Sequence, residues 1–252
     1  KPNEARFNMA PGNVQDNARN PASAPIMTGK DVVLFDCDGV LVDSEPISLA
    51  TLVDVLDHYG APLDLAEVAA RFTGRSSAAP IEHIRSETGR DITAEFKPFF
   101  YERLFARYDV ELQKTDDIED VLNALRRRNV AFCISSSSSV QRLERTMAVT
   151  GLGHWFGTDI YSADFVKNGK PAPDLFLYAA DKMGFRPEQA VVIEDSVAGV
   201  KAAVAAGMTC IGYVGGGHYA EDRKIAAARL YEAGADVVFD GMRDIAVLIS
   251  QG

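Results

Sequence analysis

Five continuous apolar runs constrain this chain more than any other feature: Val32–Phe35 (VVLF), Val130–Ile134 (VAFCI), Ala190–Ile193 (AVVI), Thr209–Tyr213 (TCIGY) and Asp236–Phe239 (DVVF). A weaker run spans Asp159–Tyr161. None alternates polar with apolar residues, so each reads as a strand covered on both faces. Between the runs, apolar residues recur at helical spacing: Ile118, Val121, Leu122 and Leu125; Val140, Leu143 and Met147; Leu175, Phe176 and Ala179; Val197, Val200, Ala203 and Val204. Strand then helix, repeated, predicts an α/β fold with a parallel sheet core flanked by helices. At 252 residues and 47% hydrophobic content the chain can bury such a core, as one domain with an insertion or as two.

One stretch breaks the rhythm. From Pro46 to about Thr115 only helical signals occur: Ile47, Leu52, Val55, Leu56 and Tyr59, then Leu65, Val68 and Phe72, then Phe96, Phe100, Leu104 and Tyr108. Pro46 after Ser44, and Asp64 with Glu67 three residues on, mark helix starts, while Gly60 and Gly89 mark stops. The pattern predicts an inserted α-helical domain over residues 46–115, with 30–45 and 116–252 forming the α/β core. Residues 1–29 show neither period and read as a mobile leader outside the fold.

Composition narrows the partners. Lys and Arg total 26 against 36 Asp and Glu, a formal charge of −10, which disfavours a nucleic-acid or anionic-membrane partner and favours a small diffusible ligand. Cys37, Cys133 and Cys210 are widely spaced within apolar runs, as reduced structural thiols are, which favours the cytoplasm. No apolar stretch approaches the ~20 residues that span a bilayer. A monomer is the default expectation.

In open α/β sheets ligands bind at the carboxyl ends of the strands, so the residues after each apolar run are the candidates for chemistry. They are Asp36-Cys37-Asp38-Gly39, Ser135-Ser136-Ser137 and Glu194-Asp195-Ser196, joined by Lys170 in the loop Asn168–Pro173. Carboxylates at Asp36, Asp38, Glu194 and Asp195 on one sheet edge would repel strongly unless a cation organised them. A site of hard oxygen donors that also accepts phosphate suits Mg²⁺ better than an all-protein calcium cage. A calcium-loop reading of Gly39 and Glu45 fails, because its first ligand position falls on Leu34. Ser138 and Ser139 read as a turn or helix cap, and Asp195 or Ser196 as the N-cap of the helix near Val197. His58, His83, His154 and His218 lack ligand spacing and read as surface or packing groups, and Gly215–His218 (GGGH) as a flexible surface loop.

Four ordered motifs carry a resemblance: Asp36-x-Asp38-Gly39-Val40, Ser135 after an apolar strand, Lys170 in Gly-Lys-Pro-x-Pro-Asp174, and Glu194-Asp195-Ser196-x-x-Gly199. From Asp31 to near the C-terminus the chain resembles the haloacid dehalogenase superfamily, in the branch of β-phosphoglucomutase-like phosphatases. The resemblance implies a Rossmann-like core with a helical cap at 46–115, hinged near Val42–Glu45 and Lys114–Asp117. It implies a hydrolase of small phosphate monoesters, sugar or sugar-acid phosphates among them. Asp36 would be the nucleophile and Asp38 the general acid/base. Ser135, Ser136 and Lys170 would hold the phosphoryl group. Mg²⁺ would be held by Asp36, the Asp38 carbonyl, Asp195 and Glu194. Arg75, in the segment Phe72–Ser77, would be a substrate contact. The mutases of this branch carry a His where this chain has Ser48 and an Arg where it has Ser77, which favours hydrolysis over isomerisation. Dehalogenases lack the second Asp, and a non-catalytic binding protein would have lost a core carboxylate; none is lost here.

Overall fold

The computed structural model describes residues 26–73 and 77–251. Six strands, β1 Val32–Phe35, β2 Ala131–Ser136, β3 Ile160–Ser162, β4 Ala190–Glu194, β5 Thr209–Tyr213 and β6 Val237–Phe239, form one parallel sheet in the order β3-β2-β1-β4-β5-β6. β1 lies at its centre with all four residues at 0% exposure, which is why it is apolar without alternation. Its register is Val32 opposite Ala131 and Ala190, and Phe35 opposite Ile134 and Ile193. The chain leaves β1 towards β2 on one side and later returns to β4 on the other. The crevice beyond the carboxyl end of β1 is therefore the switch point of the sheet.

Helices cover both faces. Against one face pack α5 Ile118–Arg127, α6 Val140–Thr150, the single turn α7 Gly153–Phe156 and α11 Met242–Gln251. Against the other pack α8 Asp174–Met183, α9 Val197–Ala205 and α10 Arg223–Ala233. The expected apolar stripes of α5 and α8 are buried, as are Leu143 and Met147 of α6, while Val140 at the α6 start is half-buried. On α9 the stripe is displaced: Gly199, Val200, Ala202 and Ala203 face inward, whereas Val197 and Val204 are exposed. Small residues let this helix lie close to the sheet, so its inner face is not its most hydrophobic one.

Between β1 and α5 the chain forms only helices: α1 Glu45–His58, α2 Leu65–Phe72, α3 Ala78–Thr88 and α4 Thr93–Glu111. They share an apolar cluster separate from the sheet, including Val55, Leu56, Val68, Ile84 and Phe96. The α2 start is the capping box read from the sequence: the Asp64 carboxylate accepts from the Glu67 N–H at 2.8 Å, and Glu67 accepts from the Asp64 N–H at 3.1 Å. Leu104 and Tyr108 of α4 join the sheet-side core instead, anchoring the end of this helical segment. The two connections to the sheet run side by side: Val42 bridges Lys114 in antiparallel fashion, and the Thr115 N–H donates to the Leu41 carbonyl at 2.9 Å.

The packed chain begins earlier than residue 30. Met27 is 1% exposed and, with Ile26, joins the core, an isolated apolar pair too short to show a period. The rest of the expected leader, residues 1–25, and the candidate substrate contact Arg75 lie outside the described residues. The three cysteines are free and buried, and no described helix is long and apolar enough to cross a membrane.

Candidate active site

β1 stops at Phe35 and delivers Asp36 to the sheet edge, where its N–H donates to the Ile193 carbonyl of β4 at 3.0 Å. Lys170 reaches the same point from the loop before α8. Its Nζ donates to Asp36 Oδ1 at 2.7 Å, Glu194 Oε1 at 2.7 Å and the Ser135 carbonyl at 3.1 Å. The ammonium side chain is 4% exposed and Glu194 is 1% exposed, so this is a nearly dry ion cluster. Burial alone would discharge Lys170, but Asp36 and Glu194 outweigh it and keep the amine protonated. Burial pushes the Asp36 carboxyl well above the usual range; Lys170 offsets part of this, and the negative charges of Glu194, Asp195 and Asp38 add to it. Asp195 is raised in the same way, by burial first, then by Glu194 and Glu45.

Asp38 has different company. Its Oδ1 accepts from the Ser44 hydroxyl at 2.5 Å and from Arg142 Nη2 at 2.8 Å, while Oδ2 accepts from the Ser138 hydroxyl at 2.5 Å. Burial works against ionisation here too, but Arg142 and the two hydroxyls prevail and hold this carboxyl below its ordinary value. Two acids two residues apart are thus driven in opposite directions, burial favouring the proton on Asp36 while Arg142 and the hydroxyls favour the anion at Asp38. Gly39 makes the loop possible: it has φ +83°, and a Cβ there would lie 2.0 Å from Asp195 Oδ2.

The serines divide by strand geometry. β2 continues through Ser136, two residues beyond the apolar run, so alternation sends neighbouring side chains to opposite faces. The Ser135 hydroxyl is buried without a partner among the described residues, and Ser135 contributes its carbonyl to Lys170. Ser136 lines the cavity, and its hydroxyl accepts from the Ser138 N–H at 3.1 Å. Ser139 caps α6, while Ser138 serves Asp38. Ser196 caps α9, and Glu194 accepts from its N–H at 2.7 Å and its hydroxyl at 3.0 Å.

These groups open into a cavity of about 670 Å³. Asp36, Asp38, Lys170 and Asp195 line the sheet side; Ser48, Leu49, Phe100 and Tyr101 line the helical side. Sequence reasoning did not single out Arg142, Ser44 or His218 for this site. Arg142 is one arginine among many on a helix, Ser44 reads as an N-cap, and His218 lies far along the chain from its partner Asp195, which it approaches at 3.3 Å. For a cation the donors are hard carboxylate oxygens. Among the described residues no three His, Cys, Asp or Glu side chains gather tightly enough to form a ready-made cage, so a bound ion would draw further oxygens from backbone, water or ligand.

The sequence matches the profile of the haloacid dehalogenase-like hydrolases over residues 30–207. The chain belongs to that family. Haloacid dehalogenase-like relatives include the 6-phosphogluconate phosphatase of Escherichia coli K12, 30% identical over 183 residues, covering 72% of this chain and 81% of that protein. The fructose-1-phosphate phosphatase of the same organism is 34% identical over 185 residues, covering 71% and 94%. Among solved structures, a haloacid dehalogenase family hydrolase from Deinococcus radiodurans R1, with bound phosphate and sodium, is 36% identical at a TM-score of 0.70, covering 87% of this chain and 97% of that one. The family match contains Asp36, Asp38, Ser136, Lys170, Glu194 and Asp195 and ends before His218.

Proposed function

We propose that this hydrolase is a magnesium-dependent phosphatase of small phosphate monoesters, sugar or sugar-acid phosphates, working through an aspartyl phosphate on Asp36. The observation that carries the reading is the pair of acids at the end of β1, both lining one cavity: Asp36 clamped by Lys170 in a nearly dry cluster, and Asp38 held by Arg142, Ser44 and Ser138. The named relatives, phosphatases of a sugar acid phosphate and of a ketose phosphate, support the substrate class.

In the first step an Asp36 carboxylate oxygen attacks phosphorus in line, and the P–O bond to the leaving group breaks as that oxygen takes a proton from Asp38. In the second, water attacks phosphorus, Asp38 accepts its proton, and inorganic phosphate departs from Asp36. A positioned acid/base of this kind contributes ~10² to 10⁴-fold in rate. The ionised Asp38 held by Ser44, Ser138 and Arg142 is the form that activates water. Movement out of this cradle towards the substrate removes what stabilises the anion and favours the proton-bearing form needed for the first step. Lys170 and the Ser136 hydroxyl, with the backbone of Ser136–Ser138, are placed to receive the phosphoryl oxygens; Ser135 supports Lys170 through its carbonyl.

The acidic cluster fits a divalent cation. Four carboxylates face two cationic side chains, Lys170 and Arg142, and Asp36 and Asp195 are raised first by burial and then by their carboxylate neighbours. Asp36, the Asp38 carbonyl and Asp195 would hold Mg²⁺, with Glu194 beside them; the ion supplies positive charge that offsets repulsion between Asp36 and the phosphate. Helices α1–α4 act as the cap, closing the cavity over the leaving group and selecting it.

The test is phosphate release from a panel of monoesters, with Mg²⁺ and with chelator, for the native chain and Asp36→Asn. Metal-dependent release that the substitution abolishes is the expected result. Release that survives Asp36→Asn would sink the mechanism, and isomerisation of sugar phosphates without net release would make the chain a mutase.

A further inference from the structure

The segment Gly215-Gly216-Gly217-His218-Tyr219 lies beyond the family match and, apart from the exposed Gly217, packs back onto the protein. It leaves the end of β5, next to β4, and turns back across the site. The His218 side chain is 9% exposed, with Nε2 at 3.3 Å from Asp195 Oδ2 and Nδ1 buried without a partner among the described residues. The Tyr219 hydroxyl donates to the Asp195 carbonyl at 2.8 Å, and its ring lies 3.8 Å from the imidazole, centroid to centroid. The Gly217 N–H donates to Asp43 Oδ1 at 3.2 Å, tying the segment to the connection that enters α1. The glycines are a steric requirement. A Cβ at Gly215 would meet Tyr213 Oη at 2.2 Å and the Asp240 carbonyl at 2.5 Å; one at Gly216 would meet His218 at 2.9 Å; one at Gly217 would meet Asp43 at 2.6 Å. The run threads a strap through a gap that side chains would close, and what the strap delivers is an imidazole against one oxygen of Asp195.

We infer that His218 is a positioning residue that orients the Asp195 carboxylate for a divalent cation. With the proton on Nε2 the ring sets a positive N–H edge 3.3 Å from Oδ2, biases the carboxylate rotamer and leaves Oδ1 for the ion, while Tyr219 holds the backbone of the same residue. Partners of this kind, behind a ligand rather than on the metal, set affinity by removing wrong orientations of the ligand. The inference rests on the reading of Asp195 as a metal ligand.

Two substitutions separate this role from simple packing. His218→Phe keeps a ring against Tyr219 and removes the donor; His218→Gln removes the ring and keeps an N–H at similar reach. Mg²⁺ or Mn²⁺ binding to the full chain is measured by calorimetry, with thermal midpoints recorded alongside. His218→Phe is expected to weaken binding roughly 10- to 100-fold, with His218→Gln close to the native chain. The metal concentration for half-maximal phosphate release should shift in parallel, with the substrate KM at saturating metal little changed. Native-like affinity in His218→Phe, or equal weakness in both variants, overturns the inference. Should His218→Phe not fold, Tyr219→Phe carries the test: it should weaken binding several-fold, and unchanged affinity overturns the strap. A native chain that releases phosphate yet binds no divalent cation overturns metal dependence and this inference together, whereas metal binding by the native chain with unaltered variants overturns this inference alone.

Discussion

On the proposed mechanism Asp38 must both give and take a proton, and the partner it would leave is Arg142, whose Nη2 donates to its Oδ1 at 2.8 Å. The two side chains are 16% and 19% exposed, and the same guanidinium nitrogen also donates to Ser48 Oγ at 3.0 Å, joining α6 to α1. Arg142→Ala would strand a buried charge. We expect a loss of about 3–5 kcal/mol in stability by denaturant titration, with Arg142→Lys intermediate because the ammonium keeps the charge but is more strongly hydrated and lacks the planar guanidinium that meets Asp38 and Ser48 together. A loss below about 1 kcal/mol would mean that Ser44 and Ser138 suffice for Asp38. Asp36 and Glu194 were legible as candidates because each follows an apolar run directly, with Asp38 and Asp195 in the same short loops, and the strand's end is the address of the candidate site. Arg142 was not, since a helical arginine looks like solvated charge until α6 is docked. Ser135 and Ser136 differ by one position, and only where β2 stops decides which hydroxyl meets the cavity.

At the scale of the element, the start of α4 has a measurable pH signature. Asp91 accepts from the Thr93 hydroxyl at 2.6 Å, from the Thr93 N–H at 3.0 Å and from Arg85 at 3.1 Å, which lowers its carboxyl from the ordinary 3.8 to about 2. A depressed carboxyl stabilises the fold above the unfolded value, and that contribution is lost as pH falls through the folded one. The thermal midpoint of the native chain should therefore fall more steeply than that of Asp91→Ala between about pH 4 and pH 2; parallel curves would show that Asp91 plays no part. Local signals of this type were readable: the Asp64 and Glu67 box needs only its own four residues. Ser44 shows where local reading stops. It occupies the N-cap position of α1, but its side chain caps nothing, because Asp38 claims the hydroxyl.

For the whole molecule, crowded carboxylates imply that folding and cation binding are linked. Saturating Mg²⁺ should raise the thermal midpoint and chelator should reverse it; an ion at 100 times its Kd adds about 2.7 kcal/mol to a folded state that alone binds it. An unchanged midpoint from micromolar to millimolar Mg²⁺ would count against the cation site. The parallel sheet was legible from its five strong runs, since a strand buried on both faces has few other ways to look. Met27 was not, because its neighbours carry no period. The paired connections between sheet and helices constrain motion in a particular way. Val42 and Lys114 lie bonded side by side, with Asp43 N–H donating to the Gln113 carbonyl at 3.3 Å. A body hung on two adjacent bonded strands swings about a single axis and resists twisting, as a door does and a ball joint does not. Asp38 also bridges Val42, so on the proposed mechanism each swing would carry the acid/base along one repeatable arc, and leaving groups would be told apart by how far the door shuts.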